Sequence, residues 1–425
     1  MGTSVALHLA KLCDPLNEPV VLLEQSSLGA GSSGRSGAIV RQYYADREVA
    51  TMARDSLRVW STFLQATGYR VGFVRSGVLS IAGPRTSEMA ARLTRNVEML
   101  RGLGINIEMV EGDELRSLVP GLVVADDTLG AYEPEAGFVH PLRALHAFAT
   151  LARFHGATTK QNTPVRRILV EGGRVRGVET ADGVLETERV VLAAGPWTRR
   201  IASELGIELP LEIVRPQQHF VGLPGAAPGA PAALAEDISD IANPLDDTAI
   251  RAGVDAEAAP TTAHPVLLDF EHRFYARCDP EEQRARLGEV DEENMQPVAD
   301  PDALEEAVDG DFVRWARSAA AQRYPAYAEV EDRGSQAAMY TMTPDFQGLI
   351  GPLQGIEGLT VVSGFSGHGF KLAPSVGEGV ARMVRGEVPG TFDPSFFDPE
   401  RFRVAGRAAP SGGAFGGAGG RHNEF

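Results

Sequence analysis

Apolar residues recur along this chain at two spacings, and each spacing marks a different kind of element. Spacings of three and four predict helices over 1–12, 47–64, 87–103, 142–154, 311–323 and 374–384. In the first, Val5, Leu9 and Leu12 share one face; in the last, Val376, Val380 and Val384 do. Shorter alternating or continuous apolar runs predict strands at 19–24, 71–81, 105–110, 163–170, 174–180, 184–192, 266–270, 273–277 and 359–363. Gly-Gly and Asp-Gly pairs supply the turns of the strand run between 163 and 192. The mixture predicts an α/β chain. Trp60 shares the apolar face of its helix with Val49, Met52, Ala53, Leu57 and Leu64, which makes it core rather than a ligand contact. No internal repeat underlies the pattern.

Composition adjusts this picture only modestly. A chain of 425 residues, 43% apolar and 23% charged, can build two domains or one large interleaved one. Residues 223–264, rich in Ala, Pro, Gly and Asp, predict an inserted and partly disordered loop. The Gly-rich tail after Arg407 predicts disorder as well. A net charge of −17 disfavours nucleic acid and anionic membranes as partners. Cys13 and Cys278 stand far apart, giving neither a disulfide framework nor a zinc knuckle, so no metal site is expected. With no secretory signal and no apolar run long enough to span a bilayer, a cytoplasmic location is the expectation.

Candidate chemistry gathers where a strand meets a helix through glycine. The 359–363 run leads into Gly364-Phe-Ser-Gly-His-Gly-Phe-Lys371, and a helical pattern follows from Pro374. Such a junction aims backbone N–H groups and a positive helix end at whatever lies over it. Missing Cβ atoms let a flat or anionic ligand approach the main chain. His368 and Lys371 add charge-capable side chains, and Lys371 is one of only three lysines, with Lys11 and Lys160. Taken alone, a Gly-rich connection without a ligand explains the stretch equally well.

The N-terminal region repeats the theme. Gly2 opens the first helix, and Glu24 ends a strand about 20 positions later, the spacing of a dinucleotide-binding unit in which an acid takes the ribose hydroxyls. The strand and two glycines that precede such a helix lie outside this sequence. A chain without them is expected to lose a central strand and most of the N–H donors facing the pyrophosphate. Residues 28–38, crowded with Gly and Ser around Arg35, read as a phosphate-facing loop, with Arg41 just beyond. Ala193-Ala-Gly-Pro-Trp-Thr198 is another junction of small residues where a ligand can touch backbone. His140, ahead of Pro141, reads as a structural histidine.

In their order these pieces resemble the D-amino-acid oxidase-type flavoproteins, in particular the sarcosine/glycine oxidase and dimethylglycine dehydrogenase branch. The matching segments are 20–24, 31–41, 163–165 and 193–197, then Met339-Tyr-Thr-Met-Thr-Pro-Asp345 and the 364–371 stretch. The resemblance implies a bound FAD in a Rossmann-like domain built from 1–65, 135–205 and 340–395. Interleaved with it would be an α+β substrate domain, 66–134 and 206–339, whose mostly antiparallel sheet covers the flavin. By the same resemblance Gly2 belongs to the dinucleotide turn, Glu24 takes the adenosine ribose, and Ser32, Ser33 and Arg35 face the phosphates. Val165 contacts the adenine side, while Ala194, Gly195 and Trp197 meet the cofactor. Gly364, Gly367, Gly369 and Phe370 belong to the isoalloxazine site. Arg41 and Lys371 grip a substrate carboxylate, with Tyr340 and His368 beside them.

The implied reaction oxidises a C–N bond of a sarcosine-, glycine- or dimethylglycine-like amine by hydride transfer to flavin N5, and water hydrolyses the imine. Oxygen or another carrier takes the electrons. Some sarcosine oxidases attach their flavin through a cysteine two residues before the matching tyrosine; Ala338 stands there, so the FAD is expected to be non-covalent. Where those oxidases carry a lysine and a histidine on a substrate-domain strand, the alignment gives Arg286 and Val290, which leaves a dehydrogenase open. An FAD hydroxylase or disulfide reductase needs a second nucleotide fingerprint or a redox cysteine pair, and neither occurs. The alternative is an inactive or flavin-free truncated homologue serving as a subunit, which predicts a colourless protein.

Overall fold

The structure, a computed structural model, describes residues 1–225, 262–290 and 295–404. The expected insertion at 223–264 falls mostly outside these residues, and the expected disordered tail, 407–425, falls wholly outside them.

The helix Gly2–Leu12 packs on two others, Gly369–Val384 and Pro141–Phe154. Its approach to Gly369–Val384 is close. Ser4 Oγ donates to Ala373 O at 2.7 Å, and a Cβ on Gly377 would land 2.1 Å from that hydroxyl. Glycine inside a helix costs about 0.5–1 kcal/mol, and here it is what lets the two backbones meet. The expected apolar face is only partly right: Val5 is buried, Leu9 half-buried, and Leu12 is 43% exposed. Leu7 is buried as well, with Thr3, Ser4, Ala6 and Ala10. Close helix packing selects small side chains, which a search for large apolar residues overlooks.

Beside these helices lie short parallel pairs. Val21–Leu23 pairs with Thr158–Lys160, and Val190–Leu192 with Leu359–Ser363, to which Leu349–Pro352 adds an antiparallel strand. Across from them stands an eight-stranded sheet. Its order is Asp332–Ala337, Gln217–Gly222, Arg284–Glu289, Phe274–Asp279, Val266–Asp269, Val78–Pro84, Thr128–Glu133, Glu108–Glu111. All neighbours are antiparallel except Val266–Asp269 with Val78–Pro84. The strand expected over 71–81 begins only at Val78, because Gly72 and Gly77 take positive φ and bend the chain onto the 138–140 segment.

Alternation along the sheet sends residues to two sides. Leu267, Phe274, Ala276 and Leu287 pack with Phe312, Ala316 and Ala320 of the helix Gly310–Arg323. Val78, Leu268, Tyr275 and Val290 form a separate cluster with Phe138 on the other side. The fold is therefore α/β with several sheets, mostly antiparallel, and this second side supplies one wall of the candidate site.

The helix carrying Lys371 starts earlier than expected, at Gly369 rather than at Pro374. Pro374 has no N–H to give, so one intrahelical bond is lost. Groups from the helix Arg47–Thr67 stiffen the same turn: Trp60 Nε1 donates to Lys371 O at 2.9 Å, and Ser375 N donates to Ser56 Oγ at 3.3 Å. Trp60 is 1% exposed and stacks on Phe370 with ring centroids 5.8 Å apart. It is core, as its helical spacing indicates, and it braces the turn that holds Lys371.

Candidate active site

Two motif segments are laced together at the centre of the site. Ser366 N donates to Thr341 O at 2.9 Å, and Thr343 N donates to Ser366 Oγ at 3.2 Å. Gly367 takes φ +84°, and a Cβ there would come within 2.9 Å of the Tyr340 ring. Glycine is thus required for Tyr340 to lie flat against this turn. Gly364 and Gly369 have other reasons to be glycine: their missing Cβ atoms make room for Thr343 and Leu211, and for Phe365. Of the three, Gly367 alone lines the cleft.

The cleft is walled by Arg41, Tyr340, Phe370 and Lys371 on one side, and by Leu268, Tyr275 and Glu289 of the large sheet, with Val290 just past the strand end, on the other. Arg41 and Lys371, 3% and 7% exposed, both approach the Tyr44 ring, at 4.5 Å from the guanidinium carbon and 5.6 Å from Nζ. Arg41 also donates to Tyr43 O. Lys371 Nζ has no hydrogen-bond acceptor among the described residues. Burial, and then the Arg41 guanidinium, push the lysine well below its usual range, with Glu133 pulling the other way.

The sequence marks His368 as charge-capable, and its surroundings decide its state. Burial first, then Lys371 and Arg41, push it down to about 3, so it is neutral at ordinary pH. Neither ring nitrogen has a hydrogen bond of normal geometry, and its ring lies 5.6 Å from that of Tyr44. His140, in contrast, caps the helix Pro141–Phe154 by accepting from Arg143 N at 3.3 Å, a structural role.

The nucleotide-side residues form a second group. Gly2 sits 3.4 Å (from its would-be Cβ) from Leu22 and 3.9 Å from Ala193. Gly31 lies 3.7 Å, measured the same way, from the Trp197 ring, so the Gly/Ser loop meets the 193–198 junction. Gly195 takes φ +52°, and its carbonyl accepts from Ser363 Oγ at 3.3 Å. Val165 and Ala194 flank one apolar cluster with Leu23. Glu24 is half-buried, pushed up by burial although Ser26 N donates to it at 2.9 Å. Ser33 is half-buried in the same loop as Ser32. Arg35 donates to Ala337 O at 2.9 Å and pairs with Glu306, while the Trp197 indole donates to Asp302 at 2.7 Å.

These residues fit the FAD that the resemblance implies. Ser32 Oγ and Thr198 Oγ1 are buried without any partner, on the two segments that Gly31 and Trp197 bring together. Buried hydroxyls are rarely left unpaired without a ligand or water to meet them. From the sheet side, Arg277 and Arg286 donate to the carbonyls of Gly37 and Arg35, at 2.7 and 3.1 Å, and so fix the Gly/Ser loop. Arg286 is therefore turned to this loop and not into the cleft, whereas Val290 lines the cleft.

Sequence reasoning missed Tyr44, Glu133 and the wall from the large sheet. Tyr44 stands three residues after Arg41, which is the one local hint. Glu133 gives no sign, because its partners Gln42 and Tyr43 lie some 90 positions away.

Comparison with known proteins agrees with this geometry. The DAO family model, described as FAD dependent oxidoreductase, matches residues 1–383. The 4-methylaminobutanoate oxidase (formaldehyde-forming) of Paenarthrobacter nicotinovorans is 27% identical over 95% of this chain and 44% of its own length. A pyruvate dehydrogenase phosphatase regulatory subunit from Mus musculus is 28% identical over 90% of this chain and 40% of its own. The chain thus spans less than half the length of these relatives. In fold, it is similar to L-proline dehydrogenase from P. horikoshii, with a TM-score of 0.77 over 95% of both chains at 23% identity. The chain belongs to the DAO family of FAD-dependent oxidoreductases.

Proposed function

We propose that this chain oxidises a C–N bond of a small N-methylated amine that carries a carboxylate. The observation behind this reading is the buried pair Arg41 and Lys371 on one wall of a cleft whose other walls are largely apolar and aromatic. A carboxylate entering there meets a planar guanidinium and an ammonium in a dry setting, where charge-assisted hydrogen bonds are at their strongest. Tyr340 on the Gly367 turn and Phe370 backed by Trp60 are rigid, so the bound molecule keeps one orientation. FAD, when bound, supplies the hydride acceptor beside the carbon attached to nitrogen. Segments 1–65, 135–205 and 340–395 hold that cofactor, and 66–134 with 206–339 cover the substrate. The 4-methylaminobutanoate oxidase among the relatives supports an N-methyl group and a carboxylate on one substrate. Arg286 and Val290, neither a lysine nor a histidine, favour an electron acceptor other than oxygen.

Anaerobic mixing of the FAD-loaded protein with sarcosine, dimethylglycine and 4-methylaminobutanoate tests the reading. At least one should bleach the flavin absorption; bleaching by none overturns the substrate class. The regulatory subunit among the relatives favours a second reading, a non-catalytic subunit. That reading expects a protein that stays colourless with excess FAD, or a yellow one that no amine bleaches.

A further inference from the structure

Close enough to Arg41 and Lys371 to act on both is a carboxylate that the proposed reaction leaves without a part. Glu133 ends the strand Thr128–Glu133 of the large sheet and is 1% exposed. One oxygen accepts from Gln42 N at 2.6 Å and the other from Tyr43 N at 3.2 Å. Both bonds go to the short backbone stretch that carries Arg41 and Tyr44, so Glu133 fixes where those side chains start. Burial pushes the Glu133 carboxyl up overall, while the two N–H donors and the Arg41 guanidinium pull it back toward the ionised form.

The other groups facing Lys371 are Arg41, Tyr43 and Tyr44 from the segment after Val40, His368 from the preceding turn, and Tyr340 on the same wall; Glu289 lines the same cleft from the large sheet, but the charges acting on Lys371 are those of Arg41 and Glu133. Burial pushes the Tyr43 and Tyr44 hydroxyls up to about 12 and His368 down to about 3, so these stay neutral at working pH. A guanidinium stays protonated. Arg41 and Glu133 then cancel, and a second buried ammonium has nothing left to balance it.

Resting on the carboxylate-clamp reading above, we propose that Glu133 is the internal counter-ion of Arg41, and that Lys371 takes a proton from solvent only when a substrate carboxylate enters. The balance is simple: the neutral amine of Lys371 gains H⁺ from water or buffer acid, and the incoming carboxylate becomes its partner. Glu133 is a positioning residue here, acting through the charge of the two cations.

The test is calorimetric titration of the FAD-loaded protein with methoxyacetate, a carboxylate with no amine to titrate or oxidise. Runs at pH 8 in phosphate and in Tris, whose ionisation heats differ, count the protons exchanged. The expected result is close to one proton taken up per ligand, with affinity falling about tenfold per pH unit on the alkaline side. In Glu133→Gln the empty site already carries a net positive charge, so uptake should fall toward zero and affinity lose its pH dependence. In Lys371→Arg, which cannot be deprotonated, uptake should vanish too; this variant decides the matter if Glu133→Gln does not fold. Binding of methoxyacetate without proton uptake, or uptake that persists in Glu133→Gln, overturns the inference and leaves the clamp intact. Failure of methoxyacetate to bind at all overturns the clamp reading and the inference with it.

Discussion

Two of the places where this molecule buries a basic side chain do so in opposite ways. Around Arg323, 3% exposed, nearly every donor meets protein. Nε donates to Asp269, Nη1 to Val123 O at 2.7 Å, and Nη2 to Glu271 at 2.6 Å. Burial alone would push the Asp269 carboxyl up, yet hydrogen bonds from His272 and Arg323 outweigh it and hold it down. At the cleft, Lys371 is nearly as buried, but its neighbours include an aromatic face and the Arg41 guanidinium. The first arrangement is closed and stabilises the sheet against its helix. The second is left open on the side of the cleft, where only an incoming anion can complete it.

Breaking the closed cluster should cost the most stability. Arg323→Leu leaves Asp269 buried without its counter-charge, and a loss of about 3–5 kcal/mol is expected. Chemical denaturation of the FAD-loaded protein measures it; a loss under 1 kcal/mol would mean that Glu271, His272 and solvent replace the arginine. Lys371→Met should behave in the reverse sense. Removing an unpaired buried amine leaves the melting temperature unchanged or raises it. Carboxylate affinity should drop about 10- to 100-fold, the worth of one hydrogen bond to a charged group, roughly 1.5–3 kcal/mol. A destabilised Lys371→Met with unchanged affinity would make the lysine structural and remove the contrast between the two regions.

A smaller perturbation touches the ledge under the clamp. Gly367→Ala places a Cβ 2.9 Å from Tyr340 at φ +84°. Strain of this kind costs about 1–3 kcal/mol, and Tyr340 must shift to relieve it. The expected signature is a raised KM with FAD affinity retained. A fall in FAD affinity with KM unchanged would put Gly367 on the cofactor's side rather than the substrate's.

The contrast also explains what could be read from the sequence and what could not. The strand Leu359–Ser363 was legible because it is a continuous apolar run buried throughout, and the helix Gly310–Arg323 because its apolar residues follow the helical period. The face of Gly2–Leu12 was not, since Ser4, Ala6 and Ala10 are chosen for size. Lys371 could be singled out because its loop is contiguous and lysine is scarce in this chain. The Tyr275 and Leu268 wall needs the strand order of a sheet, and Glu133 needs a contact across 90 residues. Charge state was the least legible property. His368 beside glycines suggests a titrating group, and only its burial shows otherwise.

That burial has a measurable consequence in acid. An unfolded chain protonates its histidines near pH 6.5, while native His368 resists until about pH 3. Above pH 7.5 neither state holds the proton, and the group contributes nothing to the pH dependence. Below 6.5 the unfolded state binds a proton that the native state does not, so stability falls as pH falls through this window. One such histidine accounts for about 0.8 kcal/mol between pH 7.5 and 6, and for about 1.4 kcal/mol per further unit down to its folded value. His8, pushed down to about 4 by burial, keeps its own share. In His368→Asn the acid limb of stability should therefore become shallower by one proton, with the neutral-pH value set only by packing against Tyr44. Urea unfolding at pH 7.5, 6 and 5 measures the slope directly. An unchanged slope would mean that His368 titrates normally, and the cleft beside Lys371 would then be wet rather than closed to water.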